Sequence, residues 1–504
     1  MNEAYQKLCE LNKEIAHLQQ AAAVLNWDEA TYLPPKAAKS RGEQMATLQG
    51  VAHEKLVSTE MEKTLALLDK QNNDWANDSL QARMVALSRR NFERESCIPK
   101  EFLKEYTRHV SQTYNTWIEA RPANDFAKVQ PFLEKSLELV LRKTQYYKGF
   151  KHPLDSLMDE ADEGLTVPVV QKIFSELRSK LVPIVQKIKD CPLIDNSPIH
   201  KHFDIQQQKA FGARVAKAIG YDFERGRQDV TPHPFCTTFS VDDVRITTRY
   251  NAKDFGDGFF STIHESGHAM YEQGVVPELD STVLAGGTSM SVHESQSRLW
   301  ENMVGRSFEF WQHYFPLAQS SFPEALRDVT VTEFYRAINR VEPSLIRVDA
   351  DEVTYNLHVL IRFDLEMQML EGKLAIKDLP AAWNARYQSD LGITPPNDTL
   401  GVMQDVHWYG GILGGYFQSY TLGNLMSAQF YNAAQVANPQ LSKQIQMGNT
   451  NELKAYLTQN IYQHGKRFPT FDLVKRVCGV EIQVDPFIDY LKKKYGALYQ
   501  IELE

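Results

Sequence analysis

Three residues near the middle of the chain have the types and the spacing of a catalytic metal site. His264, Glu265 and His268 form the pattern His-Glu-x-x-His. On a helix, residues four apart lie on one face, one turn above each other, so both imidazoles can reach the same ion. Glu265 projects beside them, close enough to act on a metal-activated water without being a ligand. This arrangement of two histidines and a general base is typical of zinc peptidases.

The third metal ligand is predicted to be Glu294, which follows the motif on a second segment that reads as helix. A glutamate on the helix after the motif helix completes a set of two histidines and one glutamate, and it leaves the fourth coordination position open for water. Glu301 competes for this role because it lies one to two turns further on. His293 is a further alternative, although two histidines and one glutamate already complete the protein's share of an open site.

Composition limits the classes of protein to which this chain can belong. The chain has 504 residues, 43% of them hydrophobic, and contains neither a low-complexity tract nor an internal repeat. These features predict one continuous helical body. The formal charge of −9 disfavours a nucleic-acid partner. The N-terminal segment lacks the apolar core of a signal peptide, and the apolar runs are too short to span a bilayer. Five scattered cysteines without a Cys-x-x-Cys pair suit a reducing cytoplasm.

The spacing of apolar residues predicts that long helices position these groups. Over the first 25 residues, apolar side chains recur at alternating steps of three and four, as in a long amphipathic helix, and Pro34 and Pro35 end it. Trp27 and Asp28 are interpreted as a packed corner between this helix and the next. Similar patterns, which predict a stack of long helices, continue through roughly 78–118, 126–150 and 167–189.

Two segments depart from the helical pattern. From 244 to 250, Val, Ile, Thr and Tyr alternate with Arg and Thr, which predicts a short sheet just before the metal-binding helix. The edge of that sheet can hold an extended peptide, and a small structural hairpin is the alternative. From 410 to 415, four of the six residues are glycine, which disfavours a helix and is typical of close backbone packing or approach to a ligand.

Several motifs together resemble those of one family, the carboxypeptidase Taq family of metallocarboxypeptidases. In the family's order they are His233-Pro234-Phe235, Asp243-Val244-Arg245-Ile246-Thr247, His293-Glu294-Ser295-Gln296, Ile346-Arg347-x-x-Ala350-Asp351 and Gly401-x-x-Gln404-Asp405-x-His407-Trp408. The region from Trp27 to Gln44 also resembles the family's N-terminal helices. The metal motif alone is shared with many zinc peptidases, whereas this combination is far more specific.

The resemblance implies a mainly α, elongated fold with a deep central groove and a small β-sheet beside the zinc helix. A single catalytic domain would span 1–504, with N-terminal helices over about 1–75 covering the groove. The family's members are usually homodimers that remove C-terminal residues from peptides with broad residue preference. They use zinc, or sometimes cobalt, which predicts one ion per chain.

The resemblance also implies roles for residues beyond the metal motif. In the wider angiotensin-converting-enzyme and oligopeptidase group, a histidine and a tyrosine about nine positions later stabilise the tetrahedral intermediate; here these are His407 and Tyr416. Tyr420 is the second choice for the tyrosine and otherwise a substrate-binding residue. A carboxypeptidase must also bind a free carboxylate, which a guanidinium does with two parallel hydrogen bonds. Arg347 is the first candidate and Arg245 the second, and a structural ion pair is the alternative role for either.

The predicted mechanism assigns proton transfer to Glu265, which takes the proton of the attacking water and hands it to the leaving amine. Four positions after Glu294, where zinc peptidases often carry an acid that orients a ligating histidine, this chain has Arg298. The orienting group is therefore not apparent from the sequence. An oligopeptidase or dipeptidase with the same zinc chemistry is the first alternative. A helical scaffold with structural zinc is the second, disfavoured because structural sites usually have four protein ligands.

Overall fold

Helices make up most of the chain, as the spacing of its apolar side chains predicts. The computed structural model describes residues 3–71, 75–76 and 78–503, and over these the mainly helical fold with one small sheet is confirmed. The helices are α1 (Glu3–Thr31), α2 (Ala38–Leu56), α3 (Thr59–Lys70), α4 (Leu80–Ser96), α5 (Lys100–Ala123), α6 (Phe126–Tyr146), α7 (Pro153–Ala161), α8 (Val167–Lys189), α9 (Ile205–Ile219), α10 (Phe255–Gln273), α11 (Met290–Arg298), α12 (Phe308–Ser321), α13 (Pro323–Leu326), α14 (Val331–Ile338), α15 (Tyr355–Leu370), α16 (Leu379–Leu391), α17 (Phe417–Ala437), α18 (Leu441–Gln446), α19 (Asn451–Asn460), α20 (Thr470–Cys478) and α21 (Asp485–Tyr499). The strands are β1 (Gln228–Val230), β2 (Cys236–Ser240) and β3 (Asp243–Thr248). None of the described helices is both long enough and apolar enough to cross a membrane.

The chain divides into two compact units, each built from three separate stretches. The first unit contains Met1–Ser96, Asn196–Ile338 and Phe430–Glu481, and the second contains Cys97–Asp195, Asn339–Gln429 and Ile482–Glu504. The His-Glu-x-x-His motif therefore lies in the first unit, and the segment that carries His407 lies in the second. The single catalytic domain over 1–504, the elongated shape and the groove covered by helices over about 1–75 stay predictions. Residues 1–2, 72–74, 77 and 504 lie outside the described residues.

In the first unit, α1 is the predicted amphipathic helix. Leu8, Leu11 and Ile15 on its apolar face are buried in a core cluster that also contains residues of α3 and α4. The helix ends at Thr31, just before the two prolines. Trp27 is buried near this end, and the Asp28 carboxylate pairs with Arg41 of α2 at 2.7 Å. The two residues thus form the packed corner that the sequence indicates.

The three strands form one sheet that lies against α10. Strand β3 is central: β1 pairs with it in parallel, and β2 pairs with it antiparallel, with a register shift between Thr238 and Ser240. Val244 and Ile246 are fully buried, as the alternation predicts. Thr248 is buried as well, and its hydroxyl is satisfied there by donating to the backbone oxygen of Gly258 in α10 at 3.3 Å. The predicted sheet beside the metal-motif helix is confirmed, and its pairing with a peptide stays a prediction.

In the second unit, α15 is buried on nearly all sides. Three polar residues, His358, Arg362 and Glu366, recur every fourth position along it and therefore share one face. A long irregular segment, 392–416, follows α16 and consists of turns and bends. Three of its glycines, at 411, 414 and 415, have φ between +82° and +94°, a region that side chains with Cβ rarely adopt. The glycine-rich composition therefore correctly indicates irregular, closely packed backbone.

Candidate active site

The metal motif lies on α10, and a glycine in that helix brings the next helix close. The Asp254 carboxylate caps α10 by accepting a hydrogen bond from the backbone N–H of Gly256 at 2.7 Å. His264 and His268 then lie one turn apart, with ring centroids separated by 4.9 Å. At Gly267, a Cβ atom would lie only 2.7 Å from the Cα of Ser297 in α11. The hydrogen side chain thus permits the close packing of α10 and α11.

This packing brings Glu294 of α11 to the two histidines. Glu294 Oε2 lies 3.6 Å from His264 Nε2 and 3.4 Å from His268 Nε2. Bonds of about 2.0–2.1 Å to a tetrahedral ion would place ligand atoms about 3.3 Å apart, so the donor spacing fits such an ion. Within the described ranges, this is the group of His, Cys, Asp and Glu side chains whose ligand atoms converge within 4.8 Å.

The protonation of these groups also suits an ion. Burial lowers the pKa of His268 to about 3, which keeps its imidazole neutral and able to bind a metal. Burial alone would raise the pKa of Glu294, but the charge of Arg298 and the adjacent histidines hold it well below its usual range. The Arg298 Nε donates to Glu294 Oε1 at 2.7 Å, which leaves Oε2 facing the two imidazoles. Burial alone would lower the pKa of His264, but the charge of Glu294 and the hydrogen bond to Glu301 raise it, so an ion would displace a proton from this ring. One neutral imidazole, one imidazole held by carboxylates and one anionic oxygen therefore converge.

Glu301, the alternative third ligand, instead contacts the far side of His264. The His264 Nδ1 atom lies 2.9 Å from Glu301 Oε2, and Arg306 holds the other oxygen at 3.1 Å. In the neutral ring, Nδ1 carries the proton that is donated to Glu301, so Nε2 is the nitrogen whose lone pair faces Glu294. Glu301 lies in a π-helix, Leu299–Val304, that directly continues α11. It is therefore placed to orient a candidate metal-binding histidine, and it is the orienting group that the sequence did not reveal.

His268 is oriented by a second histidine rather than directly by an acid. Its Nδ1 lies 2.5 Å from Nδ1 of His293, whose Nε2 lies 2.7 Å from Glu272 Oε1. With Nε2 of His268 free for an ion, its Nδ1–H donates to His293, and the Nε2–H of His293 donates to Glu272. Burial alone would raise the pKa of Glu272, but the hydrogen bond from His293 contributes to lowering it to about 2. His293, the other alternative ligand, thus serves as a link between His268 and an anionic glutamate.

Replacing His293 by phenylalanine should lower metal affinity by about 10- to 100-fold, because His268 loses the group that fixes its tautomer and ring orientation. Metal affinity is measured by titrating the metal-free protein against a competing chelator. His202→Phe is the matched control, since His202 is an exposed histidine of the same unit. Equal affinity in the two variants would contradict this role of His293.

Glu265 is the glutamate of the His-Glu-x-x-His motif, and it is buried next to His264 in the chain. Burial raises the pKa of its carboxyl to about 7. A general base works best when its pKa lies near the working pH. The environment of Glu265 therefore suits a group that accepts and returns a proton.

In the second unit, two arginines surround one aspartate. Asp405 accepts hydrogen bonds from Nη2 of Arg347 at 2.9 Å and from Nε of Arg362 at 2.5 Å. Arg347 also donates from Nη1 to the hydroxyl of Tyr355 at 3.0 Å. Both guanidinium groups are buried, Arg362 completely. Arg362 lies outside the motifs from which the site residues were predicted. The recurrence of polar residues at every fourth position along α15 is a sequence signal that indicates it.

The predicted oxyanion donors lie beside this cluster. His407 and Tyr416 have ring centroids 5.4 Å apart, and Tyr420 lies 5.6 Å from Tyr416. The guanidinium carbon of Arg347 lies 5.2 Å from the centroid of the Tyr420 ring. Burial and the charge of Arg347 lower the pKa of His407 to about 4, so its imidazole is neutral. The structure thus brings together four residues of the second unit that the sequence singled out.

Arg245 lies in the first unit, on β3. Its Nε and Nη2 each donate to a carboxylate oxygen of Asp243 at 2.8 Å. The guanidinium carbon lies 4.3 Å from the Trp27 ring centroid and 4.9 Å from that of Phe239. Both candidate arginines therefore have an aspartate partner within the chain, as the structural ion-pair alternative anticipates. Recognition of a substrate carboxylate by either one stays a prediction.

The chain is similar along nearly its whole length to metallocarboxypeptidases. Residues 7–495 match the family model described as Carboxypeptidase Taq (M32) metallopeptidase. Carboxypeptidase 1 of Bacillus subtilis (strain 168) is 38% identical over 97% of each chain. Thermostable carboxypeptidase 1 of Thermus thermophilus is also 38% identical, over 98% of this chain and 99% of that protein. The crystal structure of the M32 carboxypeptidase from Deinococcus radiodurans R1 has a TM-score of 0.97 and 46% identity, and the match covers 99% of this chain and 100% of that one.

Proposed function

The chain belongs to the carboxypeptidase Taq (M32) metallopeptidase family, and we propose that it is a zinc carboxypeptidase with broad preference for the C-terminal residue of peptides. His264, His268 and Glu294 hold the ion, one per chain. The observation that carries the proposal is the convergence of their three ligand atoms within 4.8 Å, with Glu265 buried beside them. Two imidazoles and one carboxylate suit zinc, and cobalt accepts the same donors.

Proton transfer is the task of Glu265. When bound, the ion lowers the pKa of a water molecule and polarises the scissile carbonyl. Glu265 takes the proton of that water as it attacks, and then gives it to the nitrogen of the departing amino acid. Glu301 and His293 each accept the Nδ1–H of a ligating histidine, which fixes the tautomer and turns Nε2 towards the ion.

His407 and Tyr416 donate hydrogen bonds to the oxygen that becomes negative as the carbonyl is attacked. A preorganised donor of this kind is typically worth about 3–4 kcal/mol of transition-state stabilisation. His407 can fill this role although its imidazole is neutral, because one of its ring nitrogens still carries an N–H that donates. Their close approach to each other, 5.4 Å between ring centroids, supports a shared task.

Arg347 binds the C-terminal carboxylate of the peptide, with Tyr420 beside it. Two guanidinium groups face one carboxylate in this cluster, and His358 is held neutral because burial and the two arginines keep its pKa well below the usual range. The excess positive charge supports binding of an anion. The Nη1 and Nη2 atoms of Arg347 each keep a second N–H beyond their contacts with Tyr355 and Asp405. Arg245 is the second candidate.

Amidating the C-terminus of a peptide substrate should lower kcat/KM by about ten- to over a hundredfold, because the charge and the bidentate geometry are lost together. The test compares free-acid, amidated and N-acylated forms of one peptide, with product identification. Arg347→Ala should impose a similar loss on the free acid but little further loss on the amide, since the partner is already absent. The same pattern in Arg245→Ala would assign the role to Arg245. Equal cleavage of the free acid and the amide at an internal bond would favour an oligopeptidase, and loss on N-acylation would favour a dipeptidase.

We further propose that the enzyme acts as a homodimer in the cytoplasm, on peptides and without nucleic-acid or membrane partners. The formal charge of −9 and the scattered, free cysteines support this setting. Sedimentation of the purified protein tests the dimer, for which a mass near twice the 57.7 kDa of the chain is expected.

A further inference from the structure

Glu366 is a buried carboxyl of α15 to which the proposed mechanism assigns no task. It is fully buried, and its Oε1 atom accepts two hydrogen bonds. One comes from the indole Nε1 of Trp408 at 2.7 Å, and the other comes from the backbone N–H of Gly414 at 3.1 Å. Trp408 directly follows His407, and Gly414 lies two residues before Tyr416. A single oxygen therefore contacts both sides of the irregular segment between the two proposed donors.

We propose that Glu366 is a positioning residue that fixes His407 and Tyr416 by holding Trp408 and Gly414. The proposal rests on the proposed function, in which those two residues stabilise the oxyanion. Glu366 itself touches neither the substrate nor the reacting atoms. Its part is to set the backbone on which both donors are carried.

The segment needs such an anchor because its backbone hydrogen bonds, such as that from the N–H of Ile412 to the carbonyl oxygen of His407 at 2.8 Å, lie before the glycines at 414 and 415. Gly411, Gly414 and Gly415 have φ of 90°, 94° and 82°, and glycine reaches many other conformations at no steric cost. The hydroxyl of Tyr106 donates to the backbone oxygen of Gly411 at 2.7 Å, which fixes the middle of the segment. Glu366 fixes positions next to the donors. Because preorganisation decides what a donor contributes, small shifts of this backbone lower the rate.

The chemistry of the carboxyl supports a neutral acceptor. Glu366 Oε2 is buried and makes no hydrogen bond, so an ionised carboxylate would leave one oxygen uncompensated. Burial raises the pKa of Glu366 to about 7. A glutamine has the same length and keeps an oxygen that can accept from both donors. Glutamine should therefore replace Glu366 with little loss, whereas leucine should not.

The test compares Glu366→Leu, Glu366→Gln and the control Glu371→Gln, which changes a partly exposed glutamate next to the end of the same helix. Each protein is loaded with metal, and kcat, KM, metal content and backbone hydrogen exchange over 401–416 are measured. Glu366→Leu should lower kcat by about 10- to 100-fold, less than the about 10²- to 10³-fold typical of outright removal of one oxyanion donor, with little change in KM or metal content. Exchange at Gly414 should accelerate. Glu366→Gln should retain at least about half of the kcat.

Trp408→Phe keeps the test decisive if Glu366→Leu does not fold. It removes the indole N–H but retains the aromatic packing, and it should lower kcat by about three- to tenfold, which corresponds to loss of a single hydrogen bond. In the Glu366→Leu background, His407→Phe should lower kcat by a smaller factor than it does in the wild-type protein, because its task is already impaired. Wild-type kcat and exchange in both Glu366→Leu and Trp408→Phe would overturn the proposal. So would a Glu366→Gln variant as impaired as Glu366→Leu.

Failure of the proposed function gives a different result. If His407→Phe and Tyr416→Phe keep wild-type kcat, the two residues are not oxyanion donors, and the assignment of Glu366 to their positioning falls with them. If those variants lose kcat while Glu366→Leu and Trp408→Phe do not, the donors stand and only the role of Glu366 is refuted.

Discussion

Glu265→Gln is expected to lower turnover by about 10²- to 10⁴-fold while the protein keeps its metal. Glutamine preserves the size of the side chain and its ability to hydrogen-bond, but it cannot accept the proton of the attacking water. The metal should stay because its ligand atoms belong to His264, His268 and Glu294. The measurement is kcat on a free-acid peptide together with metal content by atomic spectroscopy.

Glu278→Gln is a suitable control for this variant, because Glu278 is an exposed glutamate shortly after α10. It should leave both turnover and metal content unchanged. Near-normal turnover in metal-loaded Glu265→Gln would end the assignment of Glu265 as general base. Loss of the metal from this variant would instead mean that Glu265 takes part in binding the ion.

Glu294→Ala should strip the protein of metal as completely as replacement of a ligating histidine. The change removes the only anionic donor of the set and leaves Arg298 without the carboxylate that its Nε contacts at 2.7 Å. Glu301→Ala keeps all three ligand atoms, and it removes the acceptor of His264 Nδ1–H together with a carboxylate partner of Arg298 and Arg306. Its metal affinity should fall by about 10- to 100-fold, which leaves the site filled when metal is in excess.

Metal content after dialysis, and affinity by chelator competition, separate the two glutamates. The matched pair is informative because both carboxylates contact Arg298 and both lie on the same continuous stretch of helix. Full metal occupancy in Glu294→Ala with loss in Glu301→Ala would make Glu301 the third ligand. Equal and complete loss in both would show that orientation of His264 matters as much as ligation.

The residues with local signals were predictable from the sequence, and those that depend on tertiary packing were not. The His-Glu-x-x-His spacing is meaningful only on a helix, and α10 is that helix. Glu294 followed from the general arrangement of such sites. The orienting roles of His293 and Glu272 depend on how α11 lies against α10, which no local pattern encodes. Glu301 lies in the π-helix after α11, so its position differs from the one that a continuing α-helix would give it. The sequence carries no recognisable sign of that irregularity.

Helix boundaries show the same limit. The pattern over 167–189 matches α8 at both ends. Thr166 at the N-terminal cap and Pro168 in the first turn mark where this helix starts. The pattern over roughly 78–118 instead divides into α4 and α5, with Pro99 at the N-terminal cap of α5. In the second unit, the ion pairing of Arg347 with Asp405 joins residues 58 positions apart. Each of these two charged residues lies in a motif that the sequence shows. Their contact with each other forms only in the complete fold.

The close contact at Gly267 couples metal binding to helix packing. Any side chain at this position would meet backbone atoms of α11, at 2.7 Å from Ser297 Cα and 2.8 Å from the carbonyl oxygen of Gln296. Since the two helices carry different ligands, whatever separates them also widens the ligand set. By thermodynamic linkage, an ion that binds only while the two helices are packed together stabilises that packing. Separation of the helices would weaken the binding of the ion by the same free energy. An ion bound at this site would therefore stabilise the fold as well as take part in the proposed reaction.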